Sequence, residues 1–444
     1  MHGERIPVGI WWELPPGARW ANEGVSRVVG FLIEGAADNQ QYQFHLVVRR
    51  GLAGEVREDL RDLAAEEGVD WVVHEPTVEQ EKSWRTKAEQ QTSEDATAEN
   101  IGLALYANAE VPVQGWIIAF PHFSGSMWLT GSKAVLMPDA IPYDFPLGWP
   151  QHWDATGFWP SWRATAEKVC ASADAVINFS DHVADRHSVP LLGIPRDKIH
   201  VVPLAPPDLA GELPFVRDRR RTADSRAQAA AILREHAAEH CIDYLANFPF
   251  EECAFVVGAT QDRPTKNLGL TADAVERIVR RERIPLKLFL TAPLHLGAQW
   301  TRLPFIVEQR QFHRDFMSLH NLPREVHAAL FHAATVTVHA SFYEGIIGNL
   351  PLFESLSVGT PVLFAQGPHS AELLAEEPDL EPFTFDPYDR GRLVRLLLDT
   401  TTRREEVLEQ QQAVGARLRR RRWSHVADGY VRAALAGHWR RVEA

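Results

Sequence analysis

Residues 339–365 read HASFYEGIIGNLPLFESLSVGTPVLFA. The run opens out of a β-rich stretch, TVTVHA at 335–340, and closes on another, PVLFA at 361–365, so strand, glycine-bearing turn, helix and strand are laid end to end. Gly345 and Gly348 let backbone amides approach a ligand closely, and Pro351 suits the first turn of a helix over PLFESLS. The N–H groups along Gly345, Ile346, Ile347, Gly348, Asn349 and Leu350, together with the positive end of the helix dipole, form a site for an anion such as a diphosphate, held without a metal. Glu344 stands at the strand exit and Glu354 one turn into the helix. A carboxylate accepts two hydrogen bonds at once and so matches the vicinal hydroxyls of a sugar or ribose. Either glutamate could equally serve as a partner for the helix N-terminus.

The same alternation of short β runs with longer helical patterns extends outward through most of the chain. PVGIWW, FHLVVR, DWVVH, GWIIAF, AVLM, AVINF and HVVPL all precede residue 206, and CAFVVGA, LKLFLTA, PFIVEQ, TVTVHA and PVLFA follow between residues 253 and 365. This is the pattern of βαβ units, and two series of them predict an α/β protein with two doubly wound, Rossmann-like domains facing a central cleft. The hinge falls at 203–214, PLAPPDLAGELP, where prolines and a glycine prevent regular structure. The expected division is 1–205, the first domain; 206–250, a linker with an inserted, solvated helix over RDRRRTADSRAQAAAILREHAAEH; 251–420, the second domain, which holds the anion site at 339–365; and 421–444, a terminal helix that crosses back to the first domain. The polar stretch at 79–100 reads as an exposed helix or loop.

In 444 residues, 46 basic against 59 acidic side chains leave a net charge of −13, which argues against nucleic acid as the main partner. Three cysteines, Cys170, Cys241 and Cys253, with no Cys-x-x-Cys pair, read as thiols of a reducing compartment. No secretory h-region and no membrane-length apolar run is present, which points to the cytoplasm. The basic run RLRRRRW at 417–423 allows peripheral contact with anionic lipid, or is simply the solvated face of a helix.

The 339–365 stretch resembles the signature of glycosyltransferase family 4, whose pattern reads roughly S-x-x-EGFG-LP-x-x-EA-x-x-x-G-TPV. Ser341, Glu344, Gly345, Gly348, Leu350, Pro351, Glu354, Gly359, Thr360, Pro361 and Val362 match it. The resemblance implies the GT-B fold, donor-sugar contact by Glu344 and ribose contact by Glu354. Nine residues separate the two glutamates where the family pattern has seven, so the loop at 346–349 carries an apparent insertion. FVVGATQDRPTKNLGLTADAVERI at 255–278 resembles the family's diphosphate-binding segment and implies that Arg263 and Lys266 neutralise the leaving group in place of a metal. INFSDHVADRHSVPLLGIPRDKIHVVPLAPP at 177–207 resembles the end of the family's first domain, with Ser180 as a helix cap and Gly193, Pro195, Lys198 and Ile199 in register.

The first half is less informative. WWELPPGARWANEGVSRVVGFLIEG at 11–35 stands where the family often has a glycine-rich loop, so Gly24 is expected to face phosphates or acceptor. Members often carry a His, commonly beside an Asp, near the reacting carbon; Asp139 is the better match and His122 the second, because Pro138 occupies the place before Asp139. His313, His320, His327 and His332 lack helical chelate spacing, so no metal or other cofactor is expected. The resemblance implies retaining transfer of a hexose from a nucleotide-sugar donor, GDP-mannose or a UDP-sugar, to a saccharide or lipid-linked saccharide, as in polysaccharide synthesis. The rival readings are a non-catalytic glycan-binding or partner-stabilising GT-B protein and a sugar-nucleotide epimerase.

Overall fold

The computed structural model describes residues 5–14, 20, 24–37, 41–61, 70–91, 93–145, 158–292 and 303–442. The chain forms two compact units: residues 1–140, 152–205 and 421–444 make the first, and 141–151 with 206–420 the second.

The first unit holds seven parallel strands, β1 (Ile6–Trp12), β2 (Tyr42–Val48), β3 (Trp71–His74), β4 (Gly115–Ile118), β5 (Ser132–Met137), β6 (Ala175–Asn178) and β7 (Ile199–Val201), in the order β3-β2-β1-β4-β5-β6-β7. Residues 8–12 of β1 and all of β4 and β5 are buried, as expected of continuous apolar strands covered on both faces. The helix Trp423–Val442 belongs to this unit. Its Tyr430, Ala434 and Leu435 are buried, the Gly437 amide donates to Ser132 on β5 at 2.9 Å, and Tyr42 on β2 donates to Asp428 at 2.9 Å.

The second unit holds six parallel strands, β8 (Phe255–Gly258), β9 (Lys287–Leu290), β10 (Phe316–Ser318), β11 (Val336–His339), β12 (Val362–Ala365) and β13 (Thr384–Phe385), in the order β10-β9-β8-β11-β12-β13. PFIVEQ, expected as a strand, lies in the helix Leu303–Gln309. Leu303 and Val307, one turn apart, are buried while Phe305 faces solvent, so the run is amphipathic at helical period. The three-residue β10 takes the place that PFIVEQ was expected to fill.

The inserted helix, Ala223–Glu239, is not a solvated linker. Ala229, Ala230, Leu233 and Ala237 are buried in one core cluster with Phe255 and Val257 of β8, Phe289 of β9 and Leu330. Small alanine side chains let the helix pack close to its neighbours. The basic run is likewise used internally: Arg417 pairs with Glu377 and, at 2.9 Å, with Asp379, and Trp423 stacks on Phe31 at 4.8 Å, so these two residues are not a free lipid-facing surface. No helix among the described residues is long and apolar enough to cross a membrane.

Candidate functional site

In each sheet the strand order reverses at one place, between β1 and β4 in the first and between β8 and β11 in the second. The carboxyl ends of parallel strands at such a switch point open a crevice, because successive connections leave toward opposite sides. In the second unit the two loops that leave it are tied together. The Phe342 amide donates to the Thr265 carbonyl at 2.9 Å, and the Ser341 hydroxyl lies 3.1 Å from the same carbonyl and 2.8 Å from that of Tyr343.

This tie brings Lys266 against Glu344. The Lys266 ammonium donates to Oε1 at 2.6 Å and Oε2 at 2.8 Å, and both side chains are 16% exposed. His339, the last residue of β11, places Nε2 at 2.9 Å from Glu344 Oε1, and its ring meets that of His369 edge-on at 6.3 Å. Burial alone would raise the Glu344 carboxyl. The Lys266 charge, the His339 hydrogen bond and the nearby His369 outweigh it and hold the group well below 4.5, ionised at neutral pH. Residues Pro264–Lys266 form a single 3-10 turn that ends at Asn267 in the left-handed region, φ 50°, which aims Lys266. Arg263 stands just before that turn, partly exposed, with no side-chain hydrogen bond or ion pair among the described residues.

Glu354 lies on the helix Leu350–Ser357 and is 1% exposed, with Oε2 4.0 Å from Nε2 of His327. His332 holds structure together: Nδ1 lies 2.6 Å from the Val358 carbonyl and Nε2 2.8 Å from the Ser225 hydroxyl, and burial lowers the ring to about 4.

In the loop at 345–350, one of the amides expected to cradle an anion is engaged within the chain. Gly348, at φ +75°, donates its N–H to the His369 carbonyl at 2.8 Å. Asn349 caps the helix, its Oδ1 accepting from Leu352 N at 2.8 Å, and Pro351 has no N–H to offer. The Ile347 side chain packs in the hydrophobic core beside Leu352 and Phe353, so it presents no side chain to a ligand. Gly345 is buried, Ile346 and Leu350 partly so. The amide of Gly348 and that of Leu352 in the first helical turn are thus already committed.

In the first unit the switch point is occupied by Glu13, which follows β1 directly. Its carboxylate accepts from Trp11 Nε1 at 2.8 Å, Asn100 Nδ2 at 2.9 Å, Gly125 N at 2.8 Å and the Ser124 hydroxyl at 3.3 Å. Burial dominates over these donors and raises the group to about 7. His122 is in the loop after β4, between Phe120 and Phe123, with Trp162 Nε1 donating to its Nδ1 at 3.2 Å. An indole N–H can only donate, so the imidazole proton sits on Nε2. Burial lowers the ring to about 4, so it is a neutral hydrogen-bond donor at neutral pH. Asp139 follows β5 and is partly exposed. Gly24 opens the helix Gly24–Ala37, where an added Cβ would meet nothing within 4 Å.

His339, His369 and Glu13 were not singled out by sequence reasoning. Two of them had a signal: a polar side chain ends the apolar run TVTVHA, and another directly follows IPVGIWW, the places where a parallel strand delivers a residue to its carboxyl edge.

No family model matches the sequence and no curated protein sequence matches it. Solved structures do. Sucrose-phosphate synthase from Thermosynechococcus elongatus superposes with a TM-score of 0.64 at 13% identity, over 99% of each chain. HepE from Anabaena, in complex with UDP-glucose, gives 0.63 at 11% identity over 96% of this chain and 98% of that one. The α,α-trehalose 6-phosphate synthase from Burkholderia multivorans gives 0.59 at 14% identity over 98% and 99%. The chain has the GT-B fold of these glycosyltransferases.

Proposed function

We propose that the protein is a retaining glycosyltransferase, akin to family 4, that moves a hexose from a nucleoside diphosphate sugar to an acceptor hydroxyl. The observation that carries this reading is the Lys266–Glu344 pair at the switch point of the second sheet, with Arg263 at the start of the turn that carries Lys266. A cation is wanted there when the bond from the anomeric carbon to the diphosphate oxygen breaks, because negative charge grows on the leaving group. Lys266 and Arg263 meet that charge, and the Lys266 ammonium is redistributed between Glu344 and phosphate as donor enters. Glu344, ionised and oriented by His339, accepts hydrogen bonds from sugar hydroxyls. The acceptor oxygen attacks from the face the diphosphate leaves, and its proton passes to a departing phosphate oxygen. Glu354 takes the ribose hydroxyls, and no metal is required for the charge balance. Acceptor recognition, of a saccharide or lipid-linked saccharide, is assigned to the first unit, with Asp139 and His122 as its residues.

A UDP-sugar is the preferred donor over GDP-mannose, since the fold is shared with a structure holding UDP-glucose. A thermal-shift screen of nucleotide sugars tests the choice, because a true donor stabilises the folded state by mass action. Lys266→Ala and Glu344→Ala are expected to abolish transfer while the protein stays folded; near-normal turnover in either overturns the mechanism. Failure of every nucleoside diphosphate to bind would favour a non-catalytic GT-B protein. Product formed from donor alone would favour an epimerase.

A further inference from the structure

The helix Ala223–Glu239 carries a second chemistry at its far end. His236, Glu239 and His240 follow the i, i+3, i+4 spacing that places side chains on one helical face, and one ligand atom from each lies within 4.8 Å of the others. The two imidazole rings are 4.1 Å apart, inclined at 38°. We propose that this turn is a binding site for a late first-row divalent cation, zinc foremost, held by one nitrogen from each histidine and a carboxylate oxygen of Glu239.

Several observations converge on it. His240 Nδ1 lies 2.8 Å from the His236 carbonyl, which can only accept. That bond fixes the proton on Nδ1 and leaves the lone pair of Nε2 outward, the orienting partner that metal-bound histidines commonly have. His236 is buried next to the His240 ring, so its side chain is held in place by the surrounding core. Glu239 and His240 are exposed and give an ion access. The backbone beneath is fixed. Thr222 caps the helix start, Ala229, Ala230, Leu233 and Ala237 anchor its inner face, and the end is closed by Cys241 N to Ala238 O at 3.1 Å and Ile242 N to Ala237 O at 2.8 Å. The negative end of the helix dipole adds favourable field for a cation. Two imidazoles and one carboxylate, with water completing a tetrahedron, suit zinc and its neighbours over calcium or magnesium. None of these three residues belongs to the donor site, so the inference stands whether or not the transferase reading does.

The test is zinc titration calorimetry on the full-length chain without a histidine tag, comparing wild type, His240→Ala and Glu239→Gln, each checked for native circular dichroism. Wild type is expected to take up one zinc per chain and to melt at a higher temperature with zinc than with chelator. His240→Ala, at an exposed position, is expected to lose roughly tenfold or more in affinity and to lose the zinc-dependent thermal shift, with a smaller loss in Glu239→Gln. Wild type that binds no zinc, or His240→Ala that binds it within a few-fold of wild type, overturns the proposal.

Discussion

Replacing Lys266 by methionine strands a carboxylate. Glu344 would keep His339 Nε2 at 2.9 Å but lose an ammonium that touches both of its oxygens, at 2.6 and 2.8 Å. At an effective dielectric of about 20, the gross attraction of such a pair is about 6 kcal/mol, from which desolvation of both ions takes the larger share. Breaking a buried pair from one side costs about 3–5 kcal/mol; with each partner 16% exposed and His339 remaining, we expect about 2–4 kcal/mol for Lys266→Met. Glu344→Gln strands the ammonium instead and should cost a similar amount. The double variant leaves no unpaired charge and should lose less than the two single losses together, by about 2 kcal/mol. Urea unfolding of all four corners of the cycle measures this coupling. Single losses that add in the double variant to within about 0.5 kcal/mol would refute the pairing. The pH dependence gives an independent reading. A carboxyl held below 4.5 in the folded state contributes stability that is present above that pH and is lost as pH falls toward the folded value. Lys266→Met should therefore flatten the acid limb of the wild-type stability curve.

Glu13 predicts the opposite sign. Its carboxyl rises from 4.5 to about 7 in the folded protein, so its contribution is most favourable below 4.5, declines as pH climbs to about 7 and is level above. The decline is roughly 3 kcal/mol, and Glu13→Gln should remove it; urea midpoints across that interval decide, and an unchanged slope counts against it. Gly359 sits at φ +81° with an added Cβ only 2.5 Å from the Arg219 carbonyl oxygen. Gly359→Ala should cost about 2–3 kcal/mol by strain and overlap, and a cost below about 1 kcal/mol would contradict the turn. Arg404, 6% exposed, donates to the carbonyls of Thr335 at 3.1 Å and Gly359 at 2.8 Å. Arg404→Leu should cost about 2–4 kcal/mol, and Arg404→Lys should recover little because one ammonium cannot span both acceptors; full rescue by lysine in thermal unfolding would show that charge alone matters.

Long apolar strands and the strand–turn–helix of 335–365 were legible in the sequence because parallel strands buried on both faces must be continuously apolar. The two short edge strands of the second sheet were not. Thr384–Phe385 has two residues and Phe316–Ser318 three, too few for any periodicity to emerge, while PFIVEQ has strand composition but a helical spacing of its buried positions. The burial of Ala229, Ala230 and Ala237 was hidden for another reason: alanine contributes little hydropathy contrast, so a packed face and a solvated one look alike. At the candidate site, Lys266 and Glu344 were each visible in their own segment. Their pairing was not, since they are 78 residues apart and meet only because β8 and β11 are neighbours in the sheet. Glycine spacing did not reveal that the Gly348 amide is taken by the His369 carbonyl, nor that the Asn349 side chain caps the first turn of the helix through Leu352 N.

The helix Trp423–Val442 has a consequence for how the chain is made. It supplies buried Val426, Tyr430, Val431 and Leu435 to a sheet whose strands all precede residue 202. During synthesis the second unit can therefore close its core before the first one does, even though the first is begun earlier, because the strands β1 to β7 lack part of their cover until residues 423–442 have left the ribosome.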